Sequence, residues 1–189
     1  MTMAACLLPL CLASIGAHAQ SVVCDFNNAP LHTPLPLDLT QDGISIHFSA
    51  TGPGYSVQAA NVLGFAPAGF DGYSLYPSSV YAADLLVGFS VPVVDFSIMY
   101  APEEYACDSS ATMRVTGYLN GTFVATNTTT TYAGTWPTGT LTLSAPHGFD
   151  SVVIHYDAPP VTGGDWGPIF MADNMVLTPL DGVFANGFE

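Results

Sequence analysis

Residues 113–129, with the sequence MRVTGYLNGTFVATNTT, decide the fold class of this chain. Two runs rich in Val, Thr, Phe and Tyr, residues 113–119 and 123–129, flank the dipeptide Asn120-Gly121. Asn-Gly between two such runs is the strongest short-range signal for a two-residue β-hairpin turn. The stretch therefore predicts an antiparallel hairpin.

The remainder of the chain repeats this pattern in short segments. Runs rich in β-branched and aromatic residues are separated by Gly, Pro, Asn and Asp, and no stretch after residue 20 shows a sustained helical period. Strands are predicted at residues 22–26, 44–48, 55–58, 85–91, 94–100, 140–143, 151–156 and 169–177. The prolines in residues 27–39 predict an extended connection, and residues 61–82 are expected to form a long loop region with at most short strands. The pattern is typical of an all-β sandwich or barrel.

The first nineteen residues are predicted to be a signal peptide. Residues 7–15 form an apolar run, and Ala17-His18-Ala19 before Gln20 matches an A-x-A cleavage site. The run is too short to cross a bilayer, and the alternative is a buried N-terminal helix. We therefore expect an exported protein, placed outside the cell, at its surface or in the periplasm. No transmembrane segment is expected after cleavage. A single domain is predicted at residues 21–180, followed by a short tail at residues 181–189.

The charge of the chain excludes several classes of partner. Arg114 is the one basic residue against 15 carboxylates, and the formal net charge is -14 at pH 7. Nucleic acids, anionic membranes and acidic polysaccharides would be repelled rather than attracted. Cations and neutral molecules remain as candidate ligands. We expect Arg114, in mid-strand, to pair with a nearby carboxylate rather than with a ligand.

Two cysteines remain after cleavage of the signal peptide, Cys24 and Cys107. In an oxidising compartment two cysteines predict a disulfide bond. The alternative is a pair of free, buried thiols. Two cysteines without clustered histidines make a poor zinc site.

The second half of the chain contains a recognisable series of four motifs, at residues 115–122, 124–131, 148–154 and 170–175. Together they resemble the C-terminal half of secreted bacterial jelly-roll domains, which are similar to carbohydrate-binding modules and discoidin-like sandwiches. The resemblance covers residues 85–177 best and implies a jelly-roll β-sandwich. Residues 183–189 resemble a short tail of other exported bacterial proteins, which would serve sorting or anchoring. The alternative is a frayed terminus.

In jelly rolls of this kind the first and last strands lie side by side. That arrangement would bring Asp25 and Asn27 close to Asp173 and Asn174. Carboxylate and amide oxygens are the ligands that calcium prefers, and the resemblance implies a structural calcium ion at these four residues. The alternative is that Asp173 and Asn174 only form a turn through local hydrogen bonds.

Aromatic residues in loops suggest a binding surface for neutral sugars. The set comprises Tyr73, Tyr76, Tyr81, Trp136 and Trp166. Flat rings can stack on a sugar while their polar edges stay hydrated. The alternative is that these rings fill the ends of the core.

The sequence thus favours an exported, non-catalytic domain that binds a neutral glycan or another cell-surface component. One alternative is a polysaccharide hydrolase or lyase on a jelly-roll scaffold, with Glu103, Glu104 and Asp108 as its candidate carboxylates. A purely structural surface protein is the other alternative. Neither the ligand nor the oligomeric state follows from the sequence.

Overall fold

A computed structural model describes residues 20–64, 66–77, 83–102, 112–131, 137–158 and 169–180. The described residues contain strands and turns but no α-helix, and accordingly none of them belongs to a helix that could cross a membrane. The strands are β1 (Val22–Cys24), β2 (Leu37–Gln41), β3 (Ile44–Ala50), β4 (Tyr55–Ala59), β5 (Tyr73–Pro77), β6 (Leu85–Pro102), β7 (Thr112–Leu119), β8 (Thr122–Thr130), β9 (Gly139–Ala158) and β10 (Phe170–Pro179). The predicted all-β, single-domain jelly-roll sandwich is confirmed.

The strands form two layers, which share the long strands β6 and β9. Layer A has the strand order β2-β3-β6-β9-β7-β8 and uses the first part of β6 and the last part of β9. Layer B has the order β9-β6-β10-β5-β4 and uses the other parts of the two long strands, with β1 also paired to β10. All these pairs are antiparallel. Each long strand therefore leaves one layer and enters the other.

The crossing strands correct two predictions from the sequence. Residues 85–91 and 94–100 were expected to be two strands around Pro92, and residues 140–143 and 151–156 were also expected to be separate. Each pair is one continuous strand, but the β6–β9 register shifts between Gly88 and Val93 and again before Asp95. Pro92 lies inside this irregular stretch, where its missing N–H costs no regular ladder bond.

The predicted hairpin is confirmed as β7 and β8. Asn120 and Gly121 have φ angles of 50° and 75°, as a type I′ turn requires at both central positions. The Asn120 N–H also donates a hydrogen bond of 2.7 Å to Oδ2 of Asp150. The turn is thereby fastened to β9.

The core lies between the two layers. Alternate residues of the strands point inward, so that aromatic rings from different elements meet: the ring centroids of Phe26 and Phe48 are 5.0 Å apart. Gly117 of β7 faces β9 so closely that an added Cβ would lie 2.6 Å from Cδ2 of Leu143. The absence of a side chain at Gly117 lets the layers approach each other here.

A smaller apolar cluster covers the outer face of layer B. It consists of Ala60, Phe70, Ala101 and Met171, with Tyr76 and Met99 packed against it. Phe70 belongs to residues 66–72, which precede β5 and which we call the covering segment. This segment gives layer B a second buried surface, on the side opposite the main core.

Candidate functional site

The corner where β1 meets β10 contains the residues that were predicted to bind calcium. The two strands pair in antiparallel register, with Cys24 opposite Met175. The prediction that the first and last strands lie side by side is therefore confirmed. Asp25 follows β1 directly, and its charge acts on the carboxyl group of Asp173.

Asp173 is the most unusual residue of this corner. It is fully buried, and its Oδ1 accepts a 2.7 Å hydrogen bond from the Asn174 N–H. Its Oδ2 has no hydrogen-bond partner. The pKa of Asp173 is raised from 3.8 to about 8. Burial is the main cause, the charges of Asp71 and Asp25 add to it, and the backbone N–H groups of Asn174 and Asp71 oppose it. The corner thus contains a buried acid without a counter-charge.

The two predicted amide ligands hold the neighbouring chain in place. The side-chain NH₂ of Asn174 donates to the carbonyl of Gly69 at 2.9 Å. Oδ1 of Asn27 accepts the N–H of Tyr73 at 2.8 Å, and a Cβ at Gly72 would lie 1.8 Å from that oxygen. Both asparagines therefore fasten the covering segment to the end of layer B.

Three of the four predicted ligands, Asn27, Asp173 and Asn174, therefore interact with one short stretch of chain, residues 69–73. Asp25 instead accepts the N–H of Asn27 through its Oδ1 at 3.1 Å. No group of three or more His, Cys, Asp and Glu side chains within the described ranges is arranged to hold a metal ion. The sequence did not single out Asp71 and Ser74, which also belong to this corner. No motif marks them, because only the β5–β10 pairing brings them to Asp173.

The structure describes two of the five aromatic residues predicted to bind sugar. Tyr73 packs against the main core and Tyr76 against the outer cluster, and both are partly buried. Tyr81, Trp136 and Trp166 lie outside the described residues. A role of these five rings in ligand binding stays a prediction.

Cys24 is a free, buried cysteine in the structure. Burial raises the pKa of its thiol to about 11. Its predicted partner Cys107 lies outside the described residues, as do Glu103, Glu104 and Asp108. The disulfide bond therefore stays a prediction.

A second candidate site lies on the outer face of layer A. Neighbouring strands place His47, Gly88, Ser151, Tyr118 and Phe123 in direct succession across β3, β6, β9, β7 and β8. The chain neighbours Ile46, Phe48, Val87 and Val152 are buried in the core, so this row lies on the opposite, solvent side of the sheet. We call the row the cross-strand groove, since Gly88, its second residue, has no side chain.

The two ends of the cross-strand groove differ in character. Near His47 a depression of about 360 Å³ is lined by both polar and apolar residues: Asp38, Ser45, His47, Gly88, Phe89, Ser90 and Asp150. Oδ1 of Asp38 lies 2.7 Å from Nδ1 of His47. At the other end Phe123 is 59% exposed, and Tyr118 is partly exposed beside it. One end offers hydrogen bonds and the other offers aromatic faces.

The charged side chains of the same face are paired with one another. Nη2 of Arg114 lies 2.8 Å from Oδ1 of Asp157, which confirms the predicted carboxylate partner. Nδ1 of His155 lies 2.6 Å from Oδ1 of Asp84. The single basic residue of the chain is thus committed to a carboxylate, and the face carries no free cation for an acidic ligand.

Tyr118 and Phe123 were not among the predicted binding residues, although the sequence contained a signal for them. An Asn-Gly turn fixes the register of its hairpin, so Tyr118 and Phe123 can be aligned across it. Buried Val115 and Gly117 define the inward face of β7. Tyr118 therefore lies on the outward face, as does Phe123, which is opposite it on β8.

No protein-family model matches this chain, and neither does any curated protein sequence. Among solved structures, the K2 cleaved adhesin domain of Lys-gingipain aligns with 84% of this chain and 99% of its own, at 14% identity and a TM-score of 0.49. The family 29 module CBM29_1 from Piromyces equi aligns with 84% of this chain and 91% of its own, at 8% identity and a TM-score of 0.38.

A third similar structure is that of the CBM22-1-GH10 modules of xylanase 10B from Clostridium thermocellum, solved with xylohexaose. It aligns with 82% of this chain and 29% of its own, at 14% identity and a TM-score of 0.40. The similar structures include carbohydrate-binding modules and an adhesin domain, all with β-sandwich folds. Likeness at this level concerns the fold and carries no argument about ligands.

Proposed function

We propose that this chain is an exported, non-catalytic domain that binds a neutral oligosaccharide in the cross-strand groove of layer A. The observation that carries this proposal is the open position at Gly88, which lines the depression at His47 and shares one face of the sheet with the exposed ring of Phe123. An extended ligand can lie across the strands at this position without displacing a side chain.

The dimensions and chemistry of the groove suit a short sugar chain. From β3 to β8 there are four ladder steps, which span about 19 Å at ~4.8 Å each. Asp38 and Asp150 can accept hydrogen bonds from sugar hydroxyls, while Tyr118 and Phe123 can stack on the apolar face of a ring. This length corresponds to an oligosaccharide rather than to one sugar.

The electrostatics favour a neutral ligand over an acidic one. Arg114 is paired with Asp157, and Asp38 and Asp150 both line the polar end of the groove. Uronic acids and sulfated sugars would meet these carboxylates without a cation to compensate them. We therefore expect neutral glycans to bind and acidic glycans to be rejected.

A glycan array tests this function, with the wild type compared to Phe123→Ala and Tyr118→Ala. Each variant should lose most of the signal on neutral glycans, because stacking on an aromatic side chain is removed. Leu63→Ala is the matched control, since Leu63 is an exposed apolar residue that does not belong to the groove. Absence of neutral-glycan binding, or binding that survives both substitutions, would contradict the proposal.

We also propose a structural calcium ion at the corner between β1 and β10, as the resemblance to carbohydrate-binding modules implies. The unpartnered Oδ2 of buried Asp173 supports this proposal, because calcium binds carboxylate oxygens. A bound ion would neutralise Asp173 and its neighbours Asp25 and Asp71.

Thermal unfolding in millimolar calcium, chelator and magnesium tests the ion. Binding to the folded state at about a hundredfold excess over Kd should raise Tm by roughly 5–10 °C for a domain of this size. An equal rise in magnesium would indicate charge screening, and no rise in either metal would rule out the ion.

The enzymatic alternative depends on residues outside the described part of the chain. Polysaccharide turnover that is lost in Glu103→Gln or Glu104→Gln would establish a hydrolase in place of a binding domain. A protein that neither binds nor degrades any glycan would fit the structural surface role.

A further inference from the structure

A second depression adjoins the cross-strand groove at its His47 end. Its volume is about 450 Å³, and it is lined by residues 34–36, by Ser49 and Ala50 of β3, by residues 52–56 and by His47. We call it the β3–β4 pocket. His47 also lines the depression of about 360 Å³ that belongs to the groove, so the two depressions meet at one side chain.

Two stretches of chain that pass between the layers form the walls of the β3–β4 pocket. Residues 51–54 lead from β3 of layer A to β4 of layer B, and residues 34–36 lead from the edge of β4 to β2. The Leu35 N–H donates to the carbonyl of Tyr55 at 3.0 Å, and Gly54 has a φ of 120°, which favours glycine. The backbone therefore holds the walls in place, as is usual for preformed ligand sites.

The lining of the β3–β4 pocket is mainly apolar. The apolar side chains are those of Pro34, Leu35, Pro36, Ala50 and Pro53. No carboxylate is among the described residues that line the pocket, whereas Asp38 and Asp150 both line the neighbouring depression of the groove. The two depressions therefore suit different parts of one ligand.

The polar groups of the β3–β4 pocket are hydroxyl groups and one imidazole. Oγ of Ser56 accepts a hydrogen bond of 2.8 Å from the side-chain NH₂ of Gln58, so its own hydrogen can be donated to a ligand. Ser49 adds a second hydroxyl group. Nδ1 of His47 lies 2.7 Å from Oδ1 of Asp38, which leaves Nε2 for a ligand. The pocket thus combines apolar walls with a few hydrogen-bonding groups.

We propose that the β3–β4 pocket binds the terminal sugar of the oligosaccharide and prefers a sugar with a methyl-bearing substituent, either an N-acetyl or a 6-deoxy group. The methyl group packs against the proline rings, and the hydroxyl groups of Ser49 and Ser56 donate to oxygen atoms of the sugar. A chain that enters from the groove ends here, because residues 34–36 and 51–54 enclose the pocket. The inference rests on the proposed function of the groove and specifies its ligand as a chain end.

A concentration series on a glycan array with matched pairs tests the pocket. The two members of a pair share one neutral backbone, and only the terminal sugar differs, with the N-acetyl or 6-deoxy group in one member and a hydroxyl group in the other. The wild type should bind the substituted member about four- to tenfold more tightly, since one buried methyl group is worth roughly a factor of four. The same substituted sugar inside a chain should give no such advantage.

Ser49→Leu fills the β3–β4 pocket and should erase the difference within each pair. Ser49 stands opposite Leu86, and both are partly buried, so that a leucine at this position has an apolar neighbour. Pro53→Ala is a second variant, at an exposed turn position, which removes part of one wall and should reduce the preference. Phe123→Ala, in the groove, should weaken both members of a pair by the same factor and keep the preference.

Ser97→Leu is the matched control for Ser49→Leu. Ser97 is also a partly buried serine in a strand, opposite Val176 in layer B, and lines neither depression. The control should keep both the affinity and the preference of the wild type.

Free sugars give a readout that does not depend on the groove. At millimolar concentrations, N-acetylglucosamine or 6-deoxyglucose should shift the NMR amide signals of Ser49 and Ala50 in the wild type and in Phe123→Ala. Glucose should shift these signals less, and Ser49→Leu should abolish the response. Comparison of the two substituted sugars shows which methyl group the pocket prefers.

The outcomes distinguish the pocket from the groove. Equal binding within the pairs, or a preference that survives Ser49→Leu, would overturn the pocket and leave the groove as the binding site. A wild type that binds no neutral glycan would overturn the proposed function, and the free sugars then decide the pocket alone. Unchanged amide signals of Ser49 and Ala50 with both substituted sugars would overturn the pocket as well.

Discussion

Tyr118 of β7 stands directly opposite Phe123 of β8, and both residues lie on the solvent side of layer A. The Asn120-Gly121 turn, which sets the register of the hairpin, therefore also sets this aromatic pair. Ser151 of β9 separates this pair from the open position at Gly88. We infer that the seventeen residues that decide the fold class also present the aromatic end of the proposed binding surface.

The close contact at Gly117 gives a stability prediction. A Cβ at this position would lie 2.6 Å from Cδ2 of Leu143 and 3.3 Å from Cγ of Phe149. Gly117→Ala should therefore lower the free energy of unfolding by about 1–3 kcal/mol, as overpacked cores do. Urea unfolding measures the change.

Gly88→Ala is the matched control for this experiment. A Cβ at Gly88 would meet its nearest neighbour, Cβ of His47, at 3.9 Å, which is ordinary contact. The variant should be neutral or more stable by up to about 1 kcal/mol, because alanine restricts the unfolded chain. Equal destabilisation by both substitutions would mean that the layers are not packed as described.

The sequence predicted the elements that depend on local signals. The hairpin at residues 113–129 was predicted correctly because turn chemistry determines it locally. The pairing of the first and last strands was predicted from the resemblance to jelly-roll domains. The continuity of β6 and β9 was not predicted, since Pro92 and Gly148 read locally as breaks. Both residues lie in the irregular stretch where these strands pass from one layer to the other. That the strands continue through this stretch depends on the packing of the two layers, which local sequence does not reveal.

The candidate sites were partly predictable for a similar reason. Asp25 and Asp173 could be placed together from the expected strand order. Ser74 and Asp71 could not, because their position depends on how β5 and the covering segment pack on β10. Alternation along β7 indicates that Tyr118 faces outward, but a position in a loop is the more common sign of a binding ring, and Tyr118 lies in a strand.

The calcium-free protein should lose stability as the pH rises. In the folded state the pKa of Asp173 is raised to about 8, whereas the free acid titrates near 3.8. Between these values the folded state binds more protons than the unfolded state, so the free energy of unfolding falls as pH increases from about 5 to 8. Urea unfolding in chelator measures this dependence.

Asp173→Asn serves as the comparison for the pH series. Asparagine does not titrate, so the fall in stability over this range should be smaller than in the wild type. Asp71 and Asp25, the charged groups that act on Asp173, remain in both proteins. Parallel pH profiles for the two proteins would contradict the assignment of the buried acid.

The predicted disulfide bond between Cys24 and Cys107 can be tested by thiol counting. The protein is unfolded without reductant in the presence of an alkylating agent, because Cys24 is buried in the native state. Mass spectrometry should then show no alkylated cysteine in the mature protein, and two after reduction. Two alkylated cysteines before reduction would show that both thiols are free.

The most direct test of the central claim is calorimetric titration of a neutral oligosaccharide into Gly88→Val, Gly88→Ala and the wild type. The space above Gly88 accepts a Cβ without a clash, so both variants should fold, with unfolding free energies within about 1 kcal/mol of the wild type. Valine fills the open position of the groove, and we predict that it abolishes binding while alanine weakens it only slightly. Wild-type affinity in Gly88→Val would contradict the assignment of the groove as the binding site.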